Sequence, residues 1–246
     1  ESPNQDNFFL CCAGTLVIGG IADGHGECGH WVSHWVARYV MAQVLTDLCT
    51  ADALPDQPAL RRIFNVTHEA CQDRAKADGF DISSAGSTLT LLVQHREARQ
   101  LSVAWVGDSK CLCGRAEGEA LRVVTEDHKP DSVEERRRIV AAGGEVRHTG
   151  GAARVRLPHG PNTPYDPELV EGLAMSRALG DTDLHMVGVS HEPASRRLEL
   201  AQELRGEDEE APTDQFAVCC SDGVWDFVSA EEVAQVVREH GRAKVD

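Results

Sequence analysis

Three aspartates, Asp23, Asp108 and Asp222, each close a run of apolar, β-leaning residues, and the first and last are each followed by glycine. If strand exits gather at one end of a sheet system, these carboxylates meet. Several carboxylates within a few ångström cannot all stay ionised without a compensating cation. Oxygen-only ligation favours Mg²⁺, Mn²⁺ or Ca²⁺ over zinc. Gly24 would let a backbone carbonyl approach such an ion closely, and His25, two residues beyond Asp23, would stand at the edge as a proton donor or acceptor. The competing reading is that Asp-Gly simply makes turns. It holds about even at any one of these positions, and three similar positions favour convergence.

Rival chemistries find less support. His30 and His34 are spaced i, i+4, but "HWVSH" lacks the glutamate of a zinc-hydrolase HExxH helix. No cysteine is followed by the five-residue loop and arginine of a Cys-based phosphatase, so the cysteines read as small core or strand residues. "GSTLT" at Gly86 is not a G-x-S-x-G nucleophile elbow, and no GxxxxGK[ST] phosphate loop occurs.

The carboxylates need a scaffold. "NFFLCC" and "TLVIGGIA" read as a hairpin across Ala13-Gly14, with the second strand ending at Asp23-Gly24. From Trp31, apolar Val32, Trp35, Val36, Tyr39, Val40 and Val44 recur at helical spacing. A second helix is expected from Pro58 to about Ala77, with Leu60, Ile63, Phe64, Val66 and Thr67 on its apolar face. "STLTLLVQH", "RQLSVAWVG" and "KCLCGRA" suggest an antiparallel meander with Asp108 at the end of its middle strand. Ser132 with Glu135, and Ser229 with Glu232, have capping-box spacing, and Gly143-Gly144 would stop the first of these helices. "RLPHGPNTPYDPELVEG" carries four prolines and no periodicity, so a long surface loop is expected. Paired strands beside separate helices indicate an α+β fold with largely antiparallel sheets.

At 246 residues and 41% hydrophobic, the chain can bury a substantial core, read as one domain. A formal charge of −16 argues against nucleic acid as the main partner, because a polyanion is bound through Lys and Arg. The acidic run "EDEEAPTD" from Glu207 reads as a solvated loop. Nine cysteines, two vicinal pairs among them and no CxxC, fit a reducing compartment. The longest apolar stretch is interrupted by glycines and too short for a transmembrane helix. The expectation is an intracellular protein, cytoplasmic or nuclear, with a monomer favoured. The chain starts at Glu1 without an initiator Met and stops in a polar stretch, which reads as a fragment truncated at both ends.

Seven motifs then occur in order: "NQD" (Asn4 to Asp6), "DGHG" (Asp23 to Gly26), "GSTLT" (Gly86 to Thr90), "VGDSK" (Val106 to Lys110), "TEDHKP" (Thr125 to Pro130), "LAMSRALGD" (Leu173 to Asp181) and "SDGVWD" (Ser221 to Asp226). Together they resemble the PP2C family of metal-dependent protein serine/threonine phosphatases, in a style similar to plant and protozoan members. The resemblance implies a four-layer αββα sandwich, with two mainly antiparallel sheets flanked by helices and the metals in a cleft at one end. It implies that Asp23 bridges two Mg²⁺ or Mn²⁺ ions, that the Gly24 carbonyl ligates one of them, and that Asp222 ligates the other. Asp108 matches an aspartate associated with a third, weaker ion. Asp6 matches an acidic residue bonded to metal-bound waters, Asp226 a second acidic residue near the metals, and His25 the general acid. Gln5 stands where many members carry Glu.

The chemistry so implied is hydrolysis of phosphoserine and phosphothreonine in phosphoprotein substrates by a metal-activated water. Protonation of the leaving oxygen by His25 would contribute roughly 10²- to 10⁴-fold. Two family features have no counterpart here. These are an Arg shortly before "NQD", where only Glu1, Ser2 and Pro3 precede Asn4, and a late Asp-Asn or Asp-Asp motif, a role not assigned to Asp246. They motivate an alternative, a catalytically impaired relative acting as a protein-binding module. A third possibility is a metal-dependent hydrolase of small phosphoesters. The segment from Arg154 to Gly172 corresponds to a flap beside the family's active site, and two readings of it stand level: it shapes substrate choice, or it is a merely structural loop.

Overall fold

The computed structural model describes residues 3–48, 53–115, 121–158, 172–200 and 215–240. Strands β1 (Asp6–Ala13) and β2 (Leu16–His25) form the expected hairpin, registered so that Asp6 lies opposite Asp23. β2 does not stop at Asp23-Gly24. It continues to His25 because β3 (Gly86–Ser87) pairs with Gly24 and His25, which places Asp23 inside a strand rather than in an Asp-Gly turn.

β4 (Leu89–His95) and β5 (Gln100–Val106) extend this sheet. With β10 (Leu179–Gly180) and β11 (Ala194–Glu199) its order is β10-β3-β2-β4-β5-β11, β1 also pairing with β2. The expected meander is corrected at its third strand. β6 (Lys110–Arg115) leaves β5 through Gly107, whose φ of 93° is open to glycine and strained for other residues. It then joins a second antiparallel sheet, ordered β12-β6-β7, with β7 (Leu121–Val123) and β12 (Gln215–Cys220). β8 (Glu145–Thr149) and β9 (Ala152–Arg156) make a separate hairpin, so Arg154 to Arg156 are strand rather than flap. Most of the expected long loop, and the acidic run from Glu207, lie outside the described residues.

Helices α1 (Gly29–Leu48) and α2 (Gln57–Asp78) cover the large sheet. Val32, Trp35, Val36, Val40 and Val44 of the expected α1 stripe are buried, and Tyr39 is only partly buried against the same core. α2 begins at an Asp56 cap that accepts the Ala59 N–H at 2.8 Å and ends at Gly79 in the left-handed region. Its buried face excludes Val66 and continues through His68, Cys71 and Ala75.

α3 (Val133–Ala141) has no side-chain cap from Ser132. Glu135 turns inward instead, where Arg138, Arg177 and Ser176 donate to it. A buried site with three charge-assisted or short hydrogen bonds outcompetes an exposed capping bond. The second box does form: Ser229 N–H donates to Glu232 Oε2 at 2.9 Å, opening α6 (Ala230–His240) after the one-turn helices α4 (Thr182–His185) and α5 (Asp222–Trp225).

One core lies between the helices and the large sheet, including Ile18, Val36, Phe64 and Leu91. A second, with Leu101, Val103, Trp105, Cys111 and Cys113, lies between the sheets, and α6 rests on β6 and β7. The order helix, sheet, sheet, helix is the four-layer α+β arrangement expected. The eight described cysteines are free thiols. Among the described residues no helix is long and apolar enough to cross a membrane.

Candidate functional site

Asp23 is fixed by its backbone. Its N–H donates to Thr88 Oγ1 at 3.0 Å and its carbonyl accepts from the Thr88 N–H at 2.8 Å. The Thr88 hydroxyl also meets Ser109 Oγ at 2.7 Å, which ties the residue after Asp108 to the same strand. Asp6 stands opposite Asp23 across the hairpin. Ser221 Oγ, at the exit of β12, donates to Asp6 Oδ2 at 2.9 Å and brings the second sheet to the first. Asp222 follows at the start of α5, near enough for its carboxyl to raise the pKa of Asp23. Asp226 caps the same turn, exposed, and its charge acts on Asp222.

The electrostatics follow from this crowding. Burial, then the charges of Asp6 and Asp222, push the Asp23 carboxyl up to about 8. Asp222 is also raised, first by burial and then by Asp108. Asp108 is buried, with one oxygen, Oδ2, 2.5 Å from Lys129 Nζ and the other, Oδ1, lacking a hydrogen-bond partner. A surplus of carboxylate oxygen with a buried, unpartnered acceptor suits a hard divalent cation. The residues present therefore fit the ions that the sequence motifs imply.

Gly24 is needed for space. A Cβ there would overlap the Gly29 carbonyl and press on the Gln5 carbonyl, which the Gly24 N–H meets at 3.1 Å. His25 Nε2 lies 2.7 Å from Asp181 Oδ2, and that carboxylate is almost fully buried. Burial, the largest influence on His25, lowers its pKa, but Asp181, with Asp23 and Asp108, outweighs it and leaves the imidazole raised.

The structure thus brings Asp6, Asp23, Gly24, His25, Asp108, Asp222 and Asp226 to one end of the sandwich. Asp181 and Lys129 join them, though sequence reasoning gave neither a role. Both lie in quoted motifs, "LAMSRALGD" and "TEDHKP". The only local signal at Asp181 is its φ of 46°, a left-handed conformation that Asp tolerates better than most residues.

The fold is thus a two-sheet αββα sandwich with a carboxylate-rich cleft where the sheets meet. The chain belongs to the family described as protein phosphatase 2C, whose family model matches residues 18–245. Probable protein phosphatase 2C 12 of Oryza sativa subsp. japonica is 32% identical over 287 residues, covering 96% of this chain and 68% of that protein. Probable protein phosphatase 2C 48 of the same plant is 31% identical, covering 95% and 69%. The crystal structure of serine-threonine phosphatase 2C from Toxoplasma gondii shares the fold with a TM-score of 0.77 at 22% identity, covering 98% of this chain and 81% of that one. The chain is a protein phosphatase of a metal-dependent family. The comparisons give no support to the binding-module alternative.

Proposed function

We propose that this chain hydrolyses phosphoserine and phosphothreonine monoesters in proteins at a binuclear Mg²⁺ or Mn²⁺ centre held by Asp23, the Gly24 carbonyl and Asp222. Asp6 and Asp226 bind its water shell, and Asp108 serves a third, weaker ion. The carrying observation is the meeting of Asp6 at the start of β1, Asp23 near the end of β2 and Asp222 at the start of α5, joined by the Ser221–Asp6 bond and by the influence of the Asp6 and Asp222 carboxyls on Asp23. When bound, the ions lower the pKa of water and offset phosphate charge.

The protein's own residues supply the rest. The two Thr88 bonds fix the Asp23 backbone, so the point from which its carboxylate enters the cleft is set before reaction. His25, held by Asp181, keeps a proton for the basic oxygen of the departing serine or threonine. Lys129 neutralises part of Asp108 and limits repulsion of the incoming phosphate. A reducing cytoplasmic or nuclear setting suits the free thiols.

The test is Mn²⁺-dependent phosphate release from a phosphothreonine peptide. It is expected to disappear in Asp23→Ala and on chelation. Activity that survives both sinks the proposal, and turnover of a small phosphoester with none of the peptide assigns a different substrate class.

A further inference from the structure

His68 on α2, His185 at the end of α4 and His191 on the following segment pack together outside the carboxylate cleft. Ring centroids are 4.5 Å apart for His68–His185, 4.3 Å for His68–His191 and 5.3 Å for His185–His191. One ligand nitrogen from each lies within 4.8 Å of the other two. We propose that these three imidazoles bind a borderline divalent cation, zinc in first place, at a site separate from the catalytic ions.

The hydrogen bonds fix which nitrogens are free. His185 Nε2 lies 3.2 Å from the Ala178 carbonyl oxygen, which only accepts, so the proton is on Nε2 and Nδ1 of the neutral ring keeps its lone pair. His191 Nε2 lies 3.0 Å from Asn65 Oδ1, and the amide orientation of Asn65 is set by its own donation to Glu69 at 2.9 Å. His191 Nδ1 is therefore also a lone pair, and it is buried without a partner. This carboxylate–amide–imidazole relay is the outer-shell arrangement that orients histidine ligands.

His68 accepts from the Gly180 N–H at 3.2 Å and meets the Gln72 amide at 2.8 Å, so it must release one of these bonds to ligate. The Gly180 bond is the longer. Burial, joined by neighbouring imidazoles at His68 and His185 and outweighing the charges of Glu69 and Glu192 at His191, holds the pKa of all three histidines below the usual value, so the rings are neutral near pH 7, the form that binds metal.

All-imidazole ligation suits zinc and disfavours magnesium. Zinc at about 2.0–2.1 Å from each nitrogen brings tetrahedral ligands to about 3.4 Å apart, so the rings must turn inward by roughly an ångström on binding. The site uses no cleft residue, although Gly180 adjoins Asp181, and the proposal is independent of the substrate assigned above.

Zinc binding to the full chain, measured by competition with a chromophoric chelator in excess Mg²⁺, tests it. One zinc is expected. His185→Ala and His191→Ala, both half-buried positions, should each weaken it at least ~10-fold, and Asn65→Ala about 10-fold through the outer shell. Asp23→Asn should leave it unchanged. Co²⁺ should give a tetrahedral visible spectrum that His191→Ala abolishes. No zinc uptake by the wild type, equal uptake by the Asn65 and His185 variants, or loss only in Asp23→Asn overturns the proposal. The Asn65 variant keeps all three histidines and removes only the bond that orients His191, so it decides the matter even if a histidine variant fails to fold.

Discussion

His25 Nε2 and Asp181 Oδ2 meet at 2.7 Å across 156 positions of the chain, over the Cα of Gly86. Asp181 can reach only because β10 pairs with β3, which itself pairs with the last two residues of β2. The pair turns a half-buried imidazole into one that holds its proton above the ordinary histidine range.

A raised pKa on an essential acid means that activity is present below that pKa and is lost as pH rises through it. Asp181→Asn removes the main raising influence. The basic limb of kcat/KM should therefore move to lower pH, with little change in the Mn²⁺ concentration needed for half-maximal activity. An unmoved basic limb would mean that His25 is not the acid.

Gly86→Ala should separate the two residues by sterics alone. A Cβ at Gly86 would overlap Asp181 Oδ2 and sit 2.7 Å from His25 Nε2. Its pH profile should resemble that of Asp181→Asn, and kcat should fall at least as far as in His25→Ala. Wild-type kinetics in this variant would show that the contact is dispensable.

Stability should decline on mild acidification. His68 is held at about 3, and His128 and His185 at about 4, in each case chiefly by burial. The unfolded chain binds protons at these rings near 6.5 and the native one does not, so stability falls as pH drops from about 6.5 towards 4. His25, Asp23 and Asp222, whose pKa values are raised, work in the opposite direction, against the larger number of lowered histidines. Thermal melts between pH 7.5 and 5, ranges chosen around the ~6.5 reference value, should show Tm falling on the acid side, with a shallower fall in His185→Gln.

Glu135 lies beneath Arg138 and Arg177, with Ser176 as a third donor. Burial would raise its pKa, but these partners more than reverse that and hold it well below the carboxylate range. Glu135→Ala leaves the guanidinium of Arg177 without its carboxylate. The loss should be about 3 kcal/mol, the low end for a buried pair because Arg138 is one-third exposed. At this chain length that is roughly 6–12 °C in Tm. A change under 1 °C would show that solvent replaces the pair.

Asp23, Asp108 and Asp222 were legible because each follows an apolar run, a one-dimensional pattern that survives without coordinates. Helix α1 was legible for the same reason, its stripe being long and regular. The departure of β6 for the second sheet was not, since alternation along a strand does not say which neighbour it pairs with; only the left-handed Gly107 marks the crossing. Ser132-x-x-Glu135 failed as a cap because a tertiary partner outbid a local one. Asp181 stayed hidden because its partner lies on a distant strand, and no spacing rule links the two.

The carboxylates come from both sides of the sandwich. Asp6 and Asp23 ride on the large sheet, Asp222 follows a strand of the small one, and Asp108 sits on the crossing between them. The cleft therefore works as the jaws of a calliper whose opening is set by the layer of Leu101, Val103, Trp105, Cys111 and Cys113 between the sheets. A methyl group gained or lost in that layer would change the gap between the jaws, so an apolar substitution remote from every carboxylate can alter the spacing on which the proposed centre depends.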